Sequence, residues 1–231
     1  MKPSKSVFLL LKPYLKRVIL CFSFRYHTMS EMNLQEHEER DGFKIWLSEQ
    51  EVSSLIEEAI HPRASIAFAL GAKCGLRSHE IVELHPEDIV ETDIGPMLRV
   101  EHGKGDKFRE TPIPPELKTT IETAVEFREE GLNEPVILNT KGEPTTTRTL
   151  RNWLDQTRKQ LADREDEKYW LEVNLHDLRR TWATALASKS VDPLICCDWG
   201  GWSNLETFLD HYRGTYSPEA QARERNKVEW L

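Results

Sequence analysis

Six side chains of this sequence have the types and spacing to act together on a phosphate: Arg77, Lys104, His176, Arg179, Trp202 and Tyr212. A phosphoryl group in transfer concentrates negative charge on its non-bridging oxygens, and a guanidinium fork matches a pair of such oxygens. Arg77 and Arg179 supply two forks. His176 stands one helical turn before Arg179 in an H-x-x-R pattern and can donate a hydrogen bond or take a proton. A tyrosine is neutral near pH 7, with an ordinary pKa of about 10, so as a nucleophile it needs cations or a base beside it. A lysine on a projecting hairpin suits the protonation of a leaving alkoxide. The chemistry within reach is phosphoryl transfer through a covalent tyrosyl intermediate. It needs no metal, and the sequence has none of the usual ligand clusters.

Each residue alone also has a plain structural reading. An H-x-x-R pair is common on helix surfaces, Arg77 can pair with Glu80 across one turn, and Lys104 can be a solubilising tip. Trp202 and Tyr212 can be aromatics flanking a helix. The weight lies in their joint occurrence.

The elements that must position these groups follow from pattern. In WLSEQEVSSLIEEAI, Ser48 and Glu51 form a capping box ahead of a stripe of Val52, Leu55, Ile56 and Ala59. A second helix is expected over 62–73, closed by Gly75. A third follows Ser78 with Ile81, Val82 and Leu84. MLRV and KFRETPI read as short strands around Gly103-Lys104-Gly105-Asp106, which puts Lys104 near a hairpin tip. A helix over 115–130 is expected to stop at Gly131. Thr145, Thr146 and Thr147 can cap a long amphipathic helix whose inward positions are Leu150, Trp153, Leu154, Thr157 and Leu161. Residues 162–169 read as a solvated link.

Asn174 is the expected cap of the helix that carries His176 and Arg179. Asp192-Pro193 opens the next helix, and Gly200-Gly201 ends it. Ser203 with Glu206 suggests a further capping box, for a helix that reaches Tyr212 and stops at Gly214. A last helix opens at Ser217-Pro218 and ends in the apolar residues Val228, Trp230 and Leu231, which suggest a docking face. The expected fold is mainly α with a small antiparallel β-sheet (α+β).

Composition bounds the partners. Hydrophobic residues make up 39% of the 231, with seven Trp and eight Phe as core anchors. The four cysteines (Cys21, Cys74, Cys196, Cys197) lack CxxC spacing and read as reduced thiols in a cytoplasmic protein. The apolar run over 6–24 is interrupted by charge and falls short of the ~20 residues a membrane helix needs, and no signal cleavage site follows it.

The formal net charge is −8, but residues 1–30 hold six basic side chains and no acidic one, leaving a net of −14 for residues 31–231. That acidity opposes nucleic acid unless basic clusters face the ligand, or a salt-rich cytoplasm screens the repulsion. A halophilic, archaeal source would supply such salt. The compositional switch near Met29 also leaves open a start at Met29 or Met32.

The order Arg77, Lys104, His176-x-x-Arg179, Trp202, Tyr212 resembles the tyrosine recombinase (phage integrase) family. The matching text is GLRSHEIVELHPEDI, VEHGKGDKFRETPIP, HDLRRTWATALA and GGWSNLETFLDHY, with WLSEQEV similar to the usual opening of the catalytic domain. The resemblance covers about residues 46–216 and implies that Arg77 and Arg179 hold the scissile phosphate of double-stranded DNA. It makes Lys104 the general acid on the 5′ oxygen, with Lys107 the weaker candidate, His176 the assisting histidine and Glu80 a supporting carboxylate. Trp202 takes a place where relatives carry His or Trp. Tyr212 forms the 3′-phosphotyrosyl link, which stores the phosphodiester energy, so neither ATP nor another cofactor is implied.

The resemblance further implies a homo-oligomer, a tetramer on DNA. The interval from Trp202 to Tyr212 is one residue longer than the family's usual spacing, which makes Tyr216 the reserve nucleophile. Residues 1–45 read as an N-terminal extension too short for the family's core-binding domain, and residues 46–231 as the catalytic domain. The alternatives are a catalytically weak or inactive DNA-binding relative regulating integration or excision, and a helical interaction protein unrelated to DNA.

Overall fold

The computed structural model describes residues 33–36, 43–101, 108–128, 131, 133–212 and 218–228. Lys104, Lys107, Gly214, Tyr216, Trp230 and Leu231 lie outside the described residues, as do the side chain of Tyr212 and all of 1–32. The observed architecture is mainly helical with small antiparallel sheets, as expected.

Two described strands precede the first described helix, the second of them ending at Trp46. Strands β1 (Asn33–Glu36) and β2 (Phe43–Trp46) pair antiparallel, and Leu34, Phe43 and the fully buried Ile45 pack on the body. The next helix is α1 (Glu49–Glu57). Its Ser48 hydroxyl accepts from the Glu51 amide at 3.2 Å while the Glu51 carboxylate accepts the Ser48 N–H at 2.8 Å, the expected reciprocal cap. Helix α2 (Pro62–Cys74) is alanine-rich and buried along most of its length, and Gly75 at φ 70 ends it in the left-handed region. The short α3 (Ser78–Glu83) follows and carries Glu80 inward.

A three-stranded antiparallel sheet comes next: β3 (Ile89–Thr92), β4 (Gly95–Val100) and β5 (Arg109–Pro112), in the order β3-β4-β5. Val90 faces Met97, and Val100 faces Arg109. The first of these strands was not expected, because IVET is too short to show alternation.

Helix α4 (Pro115–Glu126) stops a turn before the expected limit. The Arg128 guanidinium then donates to the carbonyls of Gly131, Glu134 and Pro135. Helix α5 (Thr147–Glu165) buries Leu150, Trp153, Leu154, Thr157 and Leu161 as its pattern requires. It also absorbs the start of the charged segment expected to be a link, because Ala162 is buried.

Helix α6 (Leu175–Ser188) is capped by Asn174 and lies along α2, where the bare Cα of Gly71 admits Leu178. The hairpin is tied to α6 by the Ile45 amide, which donates to Asp177, and by the Leu47 amide, which donates to Thr181 Oγ1 at 2.9 Å. Helix α7 (Pro193–Gly200) ends at Gly201, with φ 64. The cap of α8 (Leu205–Tyr212) differs from expectation: the Asn204 side-chain oxygen, not Ser203, accepts the Thr207 N–H at 2.7 Å. Helix α9 (Pro218–Arg225) closes the described chain.

The apolar residues gather in two clusters. The larger surrounds α2 and the long α5. The smaller consists of Trp182, Ala183, Cys196, Cys197, Trp202 and Phe208, beneath α6, α7 and α8. The candidate site lies where the two clusters meet.

Candidate active site

Arg77 occupies the N-cap of α3, just beyond the left-handed turn at Gly75. His176 and Arg179 lie on the first turns of α6, which packs against α2. This packing brings sequence-distant residues together: Leu76, Arg77, Ser78 and His79 from one segment, and Leu175, His176 and Arg179 from the other, line a hollow of about 190 Å³. Three of the six expected residues therefore share one concavity.

The two arginines are held in different ways. Arg77 is mostly buried, and its Nη1 lies 2.7 Å from Glu80 Oε1. Its backbone N–H donates to the other Glu80 oxygen at 2.7 Å. Arg179 is fully buried. Its Nη1 donates to the Gly75 carbonyl and its Nη2 to the Gly200 carbonyl. Its guanidinium carbon lies 4.6 Å from the centre of the Trp202 ring, a cation–π geometry.

Trp202 does not line the hollow. It underlies Arg179, stacking on Trp182 at a centroid distance of 5.9 Å and meeting Phe208 at 4.8 Å. The two glycines make room for this stack. A Cβ on Gly75 would come within 2.3 Å of the Trp182 ring, and one on Gly200 within 2.2 Å of Trp202. Each carbonyl that holds Arg179 thus belongs to a residue pressed against an indole.

The described residues add a group that the sequence did not single out. Arg109, on β5, is buried and forms a two-pronged pair with Glu80, Nη1 to Oε1 at 2.8 Å and Nη2 to Oε2 at 2.7 Å. Its Nε donates to the Trp199 carbonyl at 3.0 Å. Burial alone would raise the Glu80 pKa, but the Arg109 hydrogen bonds and charge, joined by Arg77, overcome it and hold the carboxyl at about 2. Glu80 is therefore ionised throughout the neutral range. Asp177, between the two α6 candidates, goes the other way. Burial pushes it up to about 6, against the pull of Arg180 and of the Asn174 and Ile45 amides. It is the fastening between α6 and the β1–β2 hairpin.

The arrangement presents guanidinium groups and an imidazole to one hollow, with an ionised, arginine-paired carboxylate behind them. Such a site suits a phosphate. Among the described residues no group of His, Cys, Asp or Glu is placed to hold a metal ion, and no helix is long and apolar enough to cross a membrane.

Residues 45–217 match the phage integrase family. The chain belongs to that family. Among curated phage integrase relatives, it is 31% identical to a tyrosine recombinase of Thermosipho africanus over 70% of this chain and 54% of that protein. It is 30% identical to the XerA tyrosine recombinase of Thermococcus kodakarensis over 67% of this chain and 52% of that protein. The chain thus spans about half the length of these relatives.

The fold likeness points the same way. A crystal structure of XerA recombinase aligns with a TM-score of 0.63 at 21% identity, covering 79% of this chain and 64% of that one. The Tn1549 transposon integrase, solved in complex with transposon right end DNA, aligns with a TM-score of 0.65 at 16% identity, covering 83% and 68%. At these identities the likeness establishes the fold, which is that of a tyrosine recombinase catalytic domain.

Proposed function

We propose that this chain is a site-specific DNA recombinase that cleaves and rejoins double-stranded DNA through a 3′-phosphotyrosyl intermediate. The observation that carries the reading is the hollow walled by Arg77, His176 and Arg179, gathered from distant segments in a member of the phage integrase family. The two guanidiniums hold the non-bridging oxygens of the scissile phosphate. The Tyr212 oxygen attacks phosphorus, and the bond from phosphorus to the 5′ oxygen breaks. Lys104 protonates the departing 5′ oxygen, and His176 is the base that takes the phenolic proton. Trp202 acts beneath Arg179, shaping the seat of that guanidinium. In the second half of the reaction a 5′-hydroxyl attacks the phosphotyrosyl link, so the energy of the broken bond is conserved. Residues 46–231 constitute the catalytic domain in this reading, and it works in the cytoplasm as a homo-oligomer, a tetramer on DNA.

The test is a nicked suicide substrate that loses the 5′-hydroxyl fragment after cleavage, assayed across a range of salt concentrations. A covalent protein–DNA adduct is expected from the wild-type chain and none from Tyr212→Phe. An adduct that survives Tyr212→Phe but vanishes in Tyr216→Phe transfers the nucleophile to Tyr216. Binding without an adduct at every salt concentration overturns the catalytic reading.

A further inference from the structure

Arg109, which no motif points to, touches the framework of both arginine seats. It grips both oxygens of Glu80, whose remaining contacts are the Arg77 side chain and backbone. Through Nε it also holds the Trp199 carbonyl at the end of α7. The next residue, Gly200, supplies a carbonyl to Arg179, and the one after it, Gly201, lies so close that a Cβ there would come within 2.8 Å of the Arg109 side chain. A single buried guanidinium is thereby joined to the seats of both phosphate-facing arginines.

Charge gives this connection a purpose. Glu80 alone would cancel the charge of Arg77, which would then offer a phosphate only its hydrogen bonds. With Arg109 present, the buried trio of two arginines and one carboxylate keeps a net positive charge. Glu80 can then orient Arg77 without neutralising it. Because Arg109 is buried against Glu80 and the Trp199 carbonyl and does not line the hollow, the surplus charge is presented at Arg77, the member that does.

We propose that Arg109 is a positioning residue for the strand-cleavage step. It leaves the charge of Arg77 uncompensated for the phosphate, and by anchoring the end of α7 it fixes the carbonyl that aims Arg179. It does not touch the DNA. This role rests on the recombinase reading given above.

The test compares wild type, Arg109→Met and Arg109→Lys in single-turnover cleavage of a suicide substrate at saturating DNA, with folding checked by circular dichroism. Two substrates are used, a normal phosphodiester and a methylphosphonate in which one charged non-bridging oxygen at the scissile position is replaced by methyl. Loss of cationic stabilisation slows cleavage of the charged phosphate most, so Arg109→Met should cut the phosphodiester about a hundredfold more slowly than wild type. On the methylphosphonate, which demands less positive charge, its deficit should shrink to about tenfold or less. Arg109→Lys restores the charge but not the fork or the Nε contact, and should fall between the two. It keeps the test decisive where the Met variant does not fold.

Wild-type rates in both variants overturn the proposal, as does a folded Met variant with an equal deficit on both substrates, since a general loss of order would not distinguish them. If Met is unfolded, a Lys deficit that is equal on the two substrates has the same force. A wild-type chain that forms no adduct with either substrate overturns the recombinase reading, and the positioning role falls with it.

Discussion

The seats of Arg77 and Arg179 border the same hollow, but one is ionic and the other is neutral. Arg77 leans on Glu80, a carboxylate that Arg109 keeps ionised. Arg179 rests on two backbone carbonyls and the face of Trp202, none of which titrates. The first seat holds its arginine by charge and tolerates a change of shape. The second holds it by shape, and needs a planar group that can reach two acceptors and still present a face to an indole.

The largest expected effect tests that contrast. Lysine keeps the charge at either position, but a compact ammonium cannot span the Gly75 and Gly200 carbonyls as a fork does. Arg179→Lys should therefore lower single-turnover cleavage about a thousandfold, and Arg77→Lys only about thirtyfold, because an ammonium still finds Glu80. Equal losses, or a larger loss at Arg77, would erase the distinction between the seats.

The ionic seat should also respond to acid. Glu80 is held at about 2 against an ordinary 4.5, so its ionised form is favoured by the fold. That contribution, on the order of 3 kcal/mol, is complete above pH 4.5 and is lost as the pH falls from 4.5 toward 2. Asp177, raised from 3.8 to about 6, has the opposite sign: its contribution is complete below 3.8 and is lost as the pH rises through 6. Urea denaturation of wild type and Glu80→Gln over pH 2 to 6 separates them. The glutamine variant is less stable at neutral pH, because Arg109 loses its charged partner, but the difference from wild type should narrow in acid. A difference that stays constant below pH 4.5 contradicts the ionic seat.

At the neutral seat the corresponding variant is Gly200→Ala. The residue is the last of α7, so alanine suits the backbone, but its Cβ would stand 2.2 Å from the Trp202 ring. Overpacking should cost about 2 kcal/mol in thermal melts, and displacement of the indole should also slow cleavage. An alanine variant that melts with wild type would show that the seat has slack.

The ionic seat was half legible in the sequence and the neutral one was not. Arg77, His176 and Arg179 stand out because their spacing is chemical, and Glu80 stands one helical turn from Arg77. Arg109 was hidden in KFRETPI, which reads as a strand without saying what its inward side meets. The signal was present in the alternation: Arg109 and Thr111 are buried on the same side of β5, and a buried arginine needs acceptors, for which a carboxylate is the best match. Glu80 was the available one. The glycine carbonyls that hold Arg179 carry no side-chain signature, and they become partners only when α2, α6 and α7 have packed. The fold was more open to reading, because caps such as Ser48 and Asn174 and stripes such as that of α5 are local. It failed where tertiary contacts decided, at the short β3 and the hairpin that Asp177 fastens.

The smallest effect provides the control for the others. Trp170 is fully buried, and its indole N–H donates to Glu165 Oε2 at 2.7 Å at the far end of α5 from the Thr146 cap. Neither residue lines the hollow. Replacing Glu165 by leucine removes the acceptor from a buried donor, which should cost about 1 kcal/mol in urea denaturation. If cleavage depends on the geometry of the two seats, this variant should form the phosphotyrosyl adduct at the wild-type rate despite its lower stability. If it slows in proportion to its lost stability, rate losses at Gly200 and Glu80 report general loosening of the fold, and the contrast between the seats must rest on the lysine substitutions alone.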